Sequence, residues 1–174
     1  MKAGSNPIAV VQGADGDTIQ KLLAAVAANC RSAGTKVVGV VAEAHGLADL
    51  TCSAGFLRDI ASGRRYPIYL DSARSEASCH LDAGGVATAC SALLDQVPDG
   101  DLVVLSKFGK LEAAGQGLFP AFEAAAAAGK PVLTSVSSKH RDAWRAFAPD
   151  ADFIQADEAA LTEWWRTKGE PGPR

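Results

Sequence analysis

The chain has 174 residues, of which 48 % are hydrophobic and 21 % are charged, and its net charge is −3. This length and composition are typical of one globular domain with a sizeable core, and they exclude a disordered chain. The slight acidic excess argues against non-specific nucleic-acid binding, and no apolar run approaches the roughly 20 residues of a membrane span.

The N-terminus and the cysteines indicate the cellular compartment. The first seven residues lead directly into an apolar run and lack the long apolar region of a signal peptide, so we expect a cytoplasmic protein. Cys30, Cys52, Cys79 and Cys90 are widely spaced and include no Cys-x-x-Cys pair. Cys30 and Cys90 fall on the apolar faces of predicted helices, where cysteine acts as a small hydrophobic residue.

Apolar runs alternate with segments of helical apolar spacing along the whole chain. This alternation predicts an α/β fold with a mostly parallel sheet, right-handed crossovers and an antiparallel β-hairpin as an extension. Residues 1–168 are predicted to form a single domain, and 169–174 a disordered tail. The predicted elements are a strand at 8–11, a glycine turn at 12–18, a helix ended by Gly34, a strand at 36–41, a hairpin at 56–70, a polar loop at 71–80, a helix capped by Asp82, strands at 102–105, 131–136 and 152–155, and helices at 119–128, 142–147 and 158–168.

The most informative stretch covers residues 101–117. Its apolar run 102–105 shows no alternation, which is typical of a strand buried on both faces of a parallel sheet. The loop that follows carries Lys107, Lys110 and Glu112, and ligands of α/β sheets bind at the carboxyl ends of the strands. The loop is therefore either a binding site or a solvated connection whose lysines form weak ion pairs with Glu112 and Asp101.

The turn at 12–18 is the second candidate. Gly13 and Gly16 precede a predicted helix, and the unpaired N–H groups at a helix N-terminus bind anions. Asp17 or Thr18 is also a predicted cap of that helix. The two interpretations are compatible.

Several segments carry a resemblance to known families. Residues 101–112, 117–122 and 129–134, with the hairpin 55–64, resemble the small archaeal and bacterial nucleoside-triphosphatases of the P-loop class. The loop Lys107-Phe-Gly-Lys-Leu-Glu-Ala-Ala-Gly-Gln-Gly117 resembles more closely the bacterial DUF2478 family, together with Cys79-His-Leu-Asp82 and Asp142-Ala-Trp-Arg-Ala-Phe147. The resemblance implies a three-layer, P-loop-NTPase-like fold, a nucleotide-binding-like scaffold. Because members of that family are often associated with molybdate-transport genes, it also implies a link to molybdate uptake or handling.

The chain departs from the P-loop pattern Gly-x-x-x-x-Gly-Lys-Ser/Thr in two places. With Gly16 as the second glycine, Val11 stands at the first position and Asp17 at the lysine. Ser106 and Lys107 stand where the resembling nucleoside-triphosphatases carry the magnesium-binding acids. Both departures remove metal–phosphate chemistry, so we expect a scaffold without hydrolase activity and assign no catalytic residue.

Positive charge replaces those acids. Lys107 and Lys110 bring two ammonium groups, and Arg64, Arg65 and Arg74 are predicted to approach from the hairpin and the loop after it. We therefore predict the binding of a small oxyanion, with molybdate or tungstate favoured by the family association; beyond that group the sequence specifies no cofactor. The candidate ligand-binding residues are Gly13, Gly16, Asp17, Thr18, Lys107, Lys110, Glu112, Arg64 and Arg74.

Three alternatives remain open at this point. Cys79, His80 and Asp82 form a weak candidate metal site, because two adjacent ligands rarely hold a metal. A divergent phosphohydrolase would place Asp17, Thr18 and Glu112 around a metal. A non-catalytic regulator would bind transporter components through its surface.

One histidine and the three tryptophans complete the set of candidate contact residues. His140 is isolated and is predicted to be a surface residue. Trp144, Trp164 and Trp165 are predicted to be core or oligomer contacts rather than a ligand stack. We expect a homo-oligomer that neither binds nucleic acid nor inserts into a membrane.

Overall fold

The computed structural model describes residues 7–44, 54–68 and 83–169. Seven strands in these ranges form one sheet in the order β4-β3-β2-β5-β6-β1-β7. In chain order the elements are β1 (Ile8–Gln12), α1 (Gly16–Ser32), β2 (Val37–Ala44), β3 (Ala54–Asp59), β4 (Arg65–Pro67), α2 (Ala83–Gln96), β5 (Leu102–Leu105), α3 (Lys110–Ala113), α4 (Phe119–Ala127), β6 (Val132–Thr134), α5 (Arg141–Phe147), β7 (Asp152–Gln155) and α6 (Glu158–Trp164).

The sheet has the predicted organisation. β5 is the central strand and pairs in parallel with β2 on one side and β6 on the other. β1 lies between β6 and β7, again in parallel. β3 and β4 form an antiparallel hairpin on the edge of β2, with Gly63 in the turn at a φ of +78°. The α/β prediction, the central strand and the antiparallel extension are confirmed.

Helices cover both faces of the sheet, because each inner strand buries successive side chains on opposite sides. Leu102 and Val104 pack with α1 and α6, whereas Val103 and Leu105 pack with α2, α4 and α5. This gives three layers with two apolar cores. In the described ranges, none of the helices is long and apolar enough to cross a membrane.

The tryptophans belong to these cores. Trp144 is fully buried at 5.2 Å from the ring of Phe108, within a cluster that also contains Phe122 and Phe147. Trp164 and Trp165 are buried on the other face of the sheet. The core interpretation is confirmed. Cys30 and Cys90 are likewise buried, and burial raises the pKa of the Cys90 thiol.

Some local boundaries differ from the predictions. Lys110 and Glu112 lie on a single helical turn, α3, within the loop after β5, which spans residues 106–118. A π-helical turn, Trp165–Gly169, continues α6, and Gly169 is buried in it rather than in a disordered tail. The predicted cap Asp82 and residues 170–174 of the predicted tail lie outside the described residues. Gly34 ends α1 as predicted, with a φ of +94° just after the helix.

Candidate functional site

A cavity of about 750 Å³ opens at the carboxyl ends of β1, β5 and β6. Its walls include the turn after β1 and the loops after β5 and β6. The helices that leave β1 and β6, which are α1 and α5, pack on opposite faces of the sheet, and a crevice forms between neighbouring strands where that happens. The structure thus brings the two predicted segments to one cavity, at the place where open α/β sheets bind ligands.

The turn between β1 and α1 is too short for a phosphate-binding P-loop. β1 stays paired with β7 through Gln12, so Val11 still lies in the strand where a P-loop would already have begun. Only residues 13–15 connect the strand to the helix, which begins at Gly16. A P-loop instead wraps successive backbone N–H groups around the phosphates.

The N-terminus of α1 is capped by Asp15, and the prediction of Asp17 or Thr18 as the cap is wrong. The Asp15 carboxylate accepts hydrogen bonds from the backbone N–H and the hydroxyl of Thr18, both at 2.8 Å. These bonds hold the pKa of the Asp15 carboxyl below its usual value. A negative charge therefore already occupies the positive end of the helix, and an exogenous anion gains less there.

Gly13 serves the packing of this turn. Its φ is +90°, and a Cβ atom at this position would collide with the side-chain amide of Gln155. Gly16 differs, because a Cβ atom there would meet no atom within 4 Å. Both glycines and Asp17 line the cavity. The turn therefore contributes a wall to the cavity.

The loop after β5 is fastened at its first residue. The Ser106 carbonyl accepts hydrogen bonds from the side-chain amide of Gln20 and from the Ser135 hydroxyl, both at 2.8 Å. The Gln20 oxygen in turn accepts the Ala42 N–H at 2.9 Å, beyond the last backbone pair of β2 and β5. Gln20 therefore bridges two strand ends at the edge of the cavity. The sequence marks Gln20 in one way only: it is a polar residue next to Ile19, on the buried side of α1.

Glu112 occupies a different place from the predicted one. Its side chain is 7 % exposed, and its two oxygens accept the backbone N–H groups of Gly109 at 2.9 Å and Leu118 at 2.8 Å. Gly117 passes so close to this carboxylate that a Cβ atom there would collide with it. The carboxylate ties the two ends of the loop together, so each of its oxygens already accepts a backbone N–H group.

The two lysines of the cavity have no carboxylate partner among the described residues. Lys107 and Lys110 are exposed, line the cavity and form no ion pair within the described part of the chain. The predicted pairing with Glu112 and Asp101 does not occur, because Glu112 binds backbone N–H groups and Asp101 accepts the backbone N–H of Lys36 at 3.0 Å. The prediction that these lysines pair with Glu112 and Asp101 is therefore wrong.

Arg141 is a third cation of the cavity, and no motif in the sequence marks it. It is the first residue of α5, is exposed, and lines the cavity next to His140. Like the two lysines, it forms no ion pair among the described residues. The strand order alone brings it near Lys107, because β6 lies beside β5 in the sheet.

The other predicted site residues lie elsewhere. Arg64 is in the hairpin turn with its guanidinium 5.1 Å from the centre of the Tyr66 ring, and it is not among the residues that line the cavity. Arg74 and the candidate metal ligands Cys79, His80 and Asp82 lie outside the described residues. Within residues 7–44, 54–68 and 83–169, no group of three or more His, Cys, Asp or Glu side chains is placed to hold a metal.

Comparisons with known proteins agree with this fold. Residues 8–164 match the family described as "Protein of unknown function (DUF2478)". The chain is 33 % identical over 165 residues to the molybdenum import ATP-binding protein ModC 2 of Bradyrhizobium diazoefficiens (strain USDA 110), an alignment that covers 92 % of this chain and 18 % of that protein. The chain thus spans less than a fifth of the length of this curated relative. No solved structure matches the chain significantly. The match over residues 8–164 shows that the chain belongs to the DUF2478 family, and its α/β fold is P-loop-like.

Proposed function

We propose that the chain binds a small oxyanion in this cavity, with molybdate or tungstate as the favoured ligand, and that it acts in molybdate uptake or handling. The observation that carries the proposal is the pair Lys107 and Lys110, which line one cavity with Arg141 and form no ion pair among the described residues. Charged donors in a cleft hold oxyanions through charge-assisted hydrogen bonds, without a divalent cation.

The anion is proposed to bind on the β5 and β6 side of the cavity rather than at the N-terminus of α1. Asp15 already supplies a carboxylate to that N-terminus, and Asp17 adds a second negative charge in its first turn. Lys107 and Arg141 lie at the start of the loop after β5 and at the end of the loop after β6, on neighbouring strands. Electrostatic attraction therefore favours the second location.

The choice of molybdate or tungstate rests on the relative. ModC 2 is named as a molybdenum import protein, and this chain resembles a segment of it. Because the alignment covers only 18 % of ModC 2, the import of molybdenum by the whole protein transfers to this chain only as a proposal. The same similarity supports the second candidate, a non-catalytic partner of transporter components.

Isothermal titration calorimetry with molybdate, tungstate, sulfate and phosphate tests the proposal. Each charge-assisted contact contributes roughly 1.5–3 kcal/mol, so replacing both Lys107 and Lys110 by Ala is expected to weaken binding by more than about a hundredfold. Lys36→Ala is the matched control, because Lys36 is exposed beside the amino end of β2, at the opposite end of the sheet. If no anion binds better than in the millimolar range, or if the double variant binds like the control, the proposal is wrong.

The divergent phosphohydrolase gives a different result. Steady phosphate release from magnesium ATP or GTP, lost in Asp17→Ala, would support it. We expect no release above background, since the turn after β1 has three residues between strand and helix and an aspartate in place of the lysine. Native mass spectrometry of the same preparation would test the expected homo-oligomer.

A further inference from the structure

We infer that Gln20 is a positioning residue of the proposed oxyanion site, and that it fixes the direction of Lys107 by holding the peptide group between Ser106 and Lys107. The inference rests on the proposed oxyanion function and adds a residue to that same site. Gln20 lies on α1, is half-buried and lines the cavity. Because its side chain is uncharged, its effect on an anion passes through the lysine that it places.

Both ends of the Gln20 side-chain amide are bound to the backbone. Its Nε2 atom donates to the Ser106 carbonyl at 2.8 Å, and its Oε1 atom accepts from the Ala42 N–H at 2.9 Å. Because a backbone N–H can only donate and a carbonyl can only accept, the two ends of the amide cannot exchange places. The Gln20 side chain is therefore held between β2 and the residue that follows β5.

A fixed Ser106 carbonyl also fixes the start of Lys107. A peptide group is planar, so the carbonyl oxygen of Ser106 and the Cα atom of Lys107 lie in one plane. Gln20 Nε2 and Ser135 Oγ each donate to that oxygen at 2.8 Å, and a carbonyl oxygen has two lone pairs with which to accept them. A rotation of this plane would swing the Lys107 side chain and weaken both hydrogen bonds.

Phe108 anchors the other side of Lys107. The Phe108 N–H donates to the Ser135 carbonyl at 2.8 Å, and the Phe108 carbonyl accepts the Ser137 N–H at 3.0 Å. The Phe108 ring is fully buried in the aromatic cluster around Trp144. Lys107 thus projects from between two held residues, and Gln20 contributes the part of this support that comes from α1.

The side chain of Lys107 has no fixed partner of its own among the described residues. It is exposed and forms no ion pair there. The direction in which it leaves the backbone therefore decides which part of the cavity its ammonium group can reach. Without the Gln20 hydrogen bond, the peptide plane is free to turn and the ammonium group moves away from the anion.

Calorimetry with molybdate and the full chain tests this role by comparing Gln20→Met with Gln96→Met. Gln96 is the matched control, because it is also half-buried and its Nε2 atom donates to Asp59 at 2.8 Å, but it does not line this cavity. Gln20→Met is expected to weaken molybdate binding about tenfold, as much as the loss of most of one charge-assisted contact. Gln96→Met should keep the affinity of the unmodified chain.

A double-mutant cycle separates positioning from a general loosening of the cavity. If Gln20 acts through Lys107, Gln20→Met should weaken molybdate binding no further once Lys107 is replaced by Ala. A purely structural role would lower the affinity by a similar factor with and without Lys107. Equal factors in the two backgrounds would overturn the inference.

The failures of the two proposals are distinguishable. If the unmodified chain binds none of molybdate, tungstate, sulfate and phosphate, both are overturned. If it binds molybdate but Gln20→Met has the same affinity as Gln96→Met, only the positioning role is overturned. Should Gln20→Met fail to fold, Gln20→Asn keeps an amide that is one methylene too short to reach both partners. The same tenfold loss relative to Gln96→Asn is then expected, at about the cost of most of one contact, and equal affinities would overturn the role.

Discussion

The turn after β1 and the loop after β5 make opposite use of the same chemical groups. Both follow buried parallel strands, contain glycines and open into one cavity. In the turn, the Asp15 carboxylate caps α1 and so occupies the helix end that could attract an anion. In the loop, the Glu112 carboxylate binds the loop's own backbone, and the lysines stay unpaired among the described residues. In each segment, the place of one carboxylate, Asp15 or Glu112, thus decides whether positive charge remains available to a ligand.

This contrast explains how a P-loop-like fold can keep its cavity while the proposed anion-binding groups follow another strand. β1 is extended through Gln12 and leaves little backbone with which to surround phosphates. The loop after β5 is instead held by the side chains of Gln20 on α1, Ser135 just after β6 and Glu112 on α3. These hydrogen bonds fix the backbone from which the two lysines project.

The largest expected effect concerns Glu112. Replacing it by Ala leaves the N–H groups of Gly109 and Leu118 buried without an acceptor, at about 1–3 kcal/mol each. We expect the free energy of unfolding to fall by about 2–6 kcal/mol in chemical denaturation. Glu163→Ala is the control, because Glu163 forms an exposed ion pair with Arg166 that is worth about 1 kcal/mol or less. Equal destabilisation by the two variants would show that the loop is not held by this carboxylate.

The two glycines of the turn after β1 are expected to respond with opposite signs. Gly13→Ala places a side chain at a φ of +90° against Gln155 and should cost about 1–3 kcal/mol of unfolding free energy. Gly16→Ala adds its methyl group in the first turn of α1, clear of other atoms, and should stabilise the fold by about 0.4–1 kcal/mol. Thermal unfolding distinguishes them.

Gly16→Ala also tests which of the two segments holds the anion. If the anion binds beside Lys107 and Lys110, this variant should keep its affinity for molybdate. A P-loop-like contact with the backbone at Gly16 would be disturbed by the added methyl group, and affinity would fall. A clear loss of molybdate affinity in calorimetry would indicate that the anion binds at the turn after β1.

The parts of the structure that the sequence predicts are those set by local pattern. The run Leu102–Leu105 shows no alternation, which identifies a strand buried on both faces, and its central place in the sheet follows. Gly34 and the hairpin glycine Gly63 likewise have the positive φ values that their turns require. Lys107 and Lys110 line the cavity because they follow the carboxyl end of a parallel strand, which is where open α/β sheets form their ligand crevice.

The features that the sequence does not predict depend on which of several chemically similar side chains forms a given contact in the folded protein. Asp15, Asp17 and Thr18 are all good helix caps, and only the geometry of a three-residue turn selects Asp15. Glu112 is a charged residue whose burial follows from two N–H groups brought together by folding. Arg141 reaches the cavity because β6 pairs with β5, a relationship between distant segments that spacing along the chain does not contain.

Anomalous diffraction from crystals of the protein soaked in tungstate would locate the bound anion directly. We expect a tungsten peak next to the side chains of Lys107 and Lys110, with tungstate oxygens about 2.7–2.9 Å from the lysine Nζ atoms. The peak should be lost in the Lys107→Ala, Lys110→Ala double variant. A tungsten peak on the backbone N–H groups at the start of α1, or a peak that persists in the double variant, would show that the two lysines do not hold the anion.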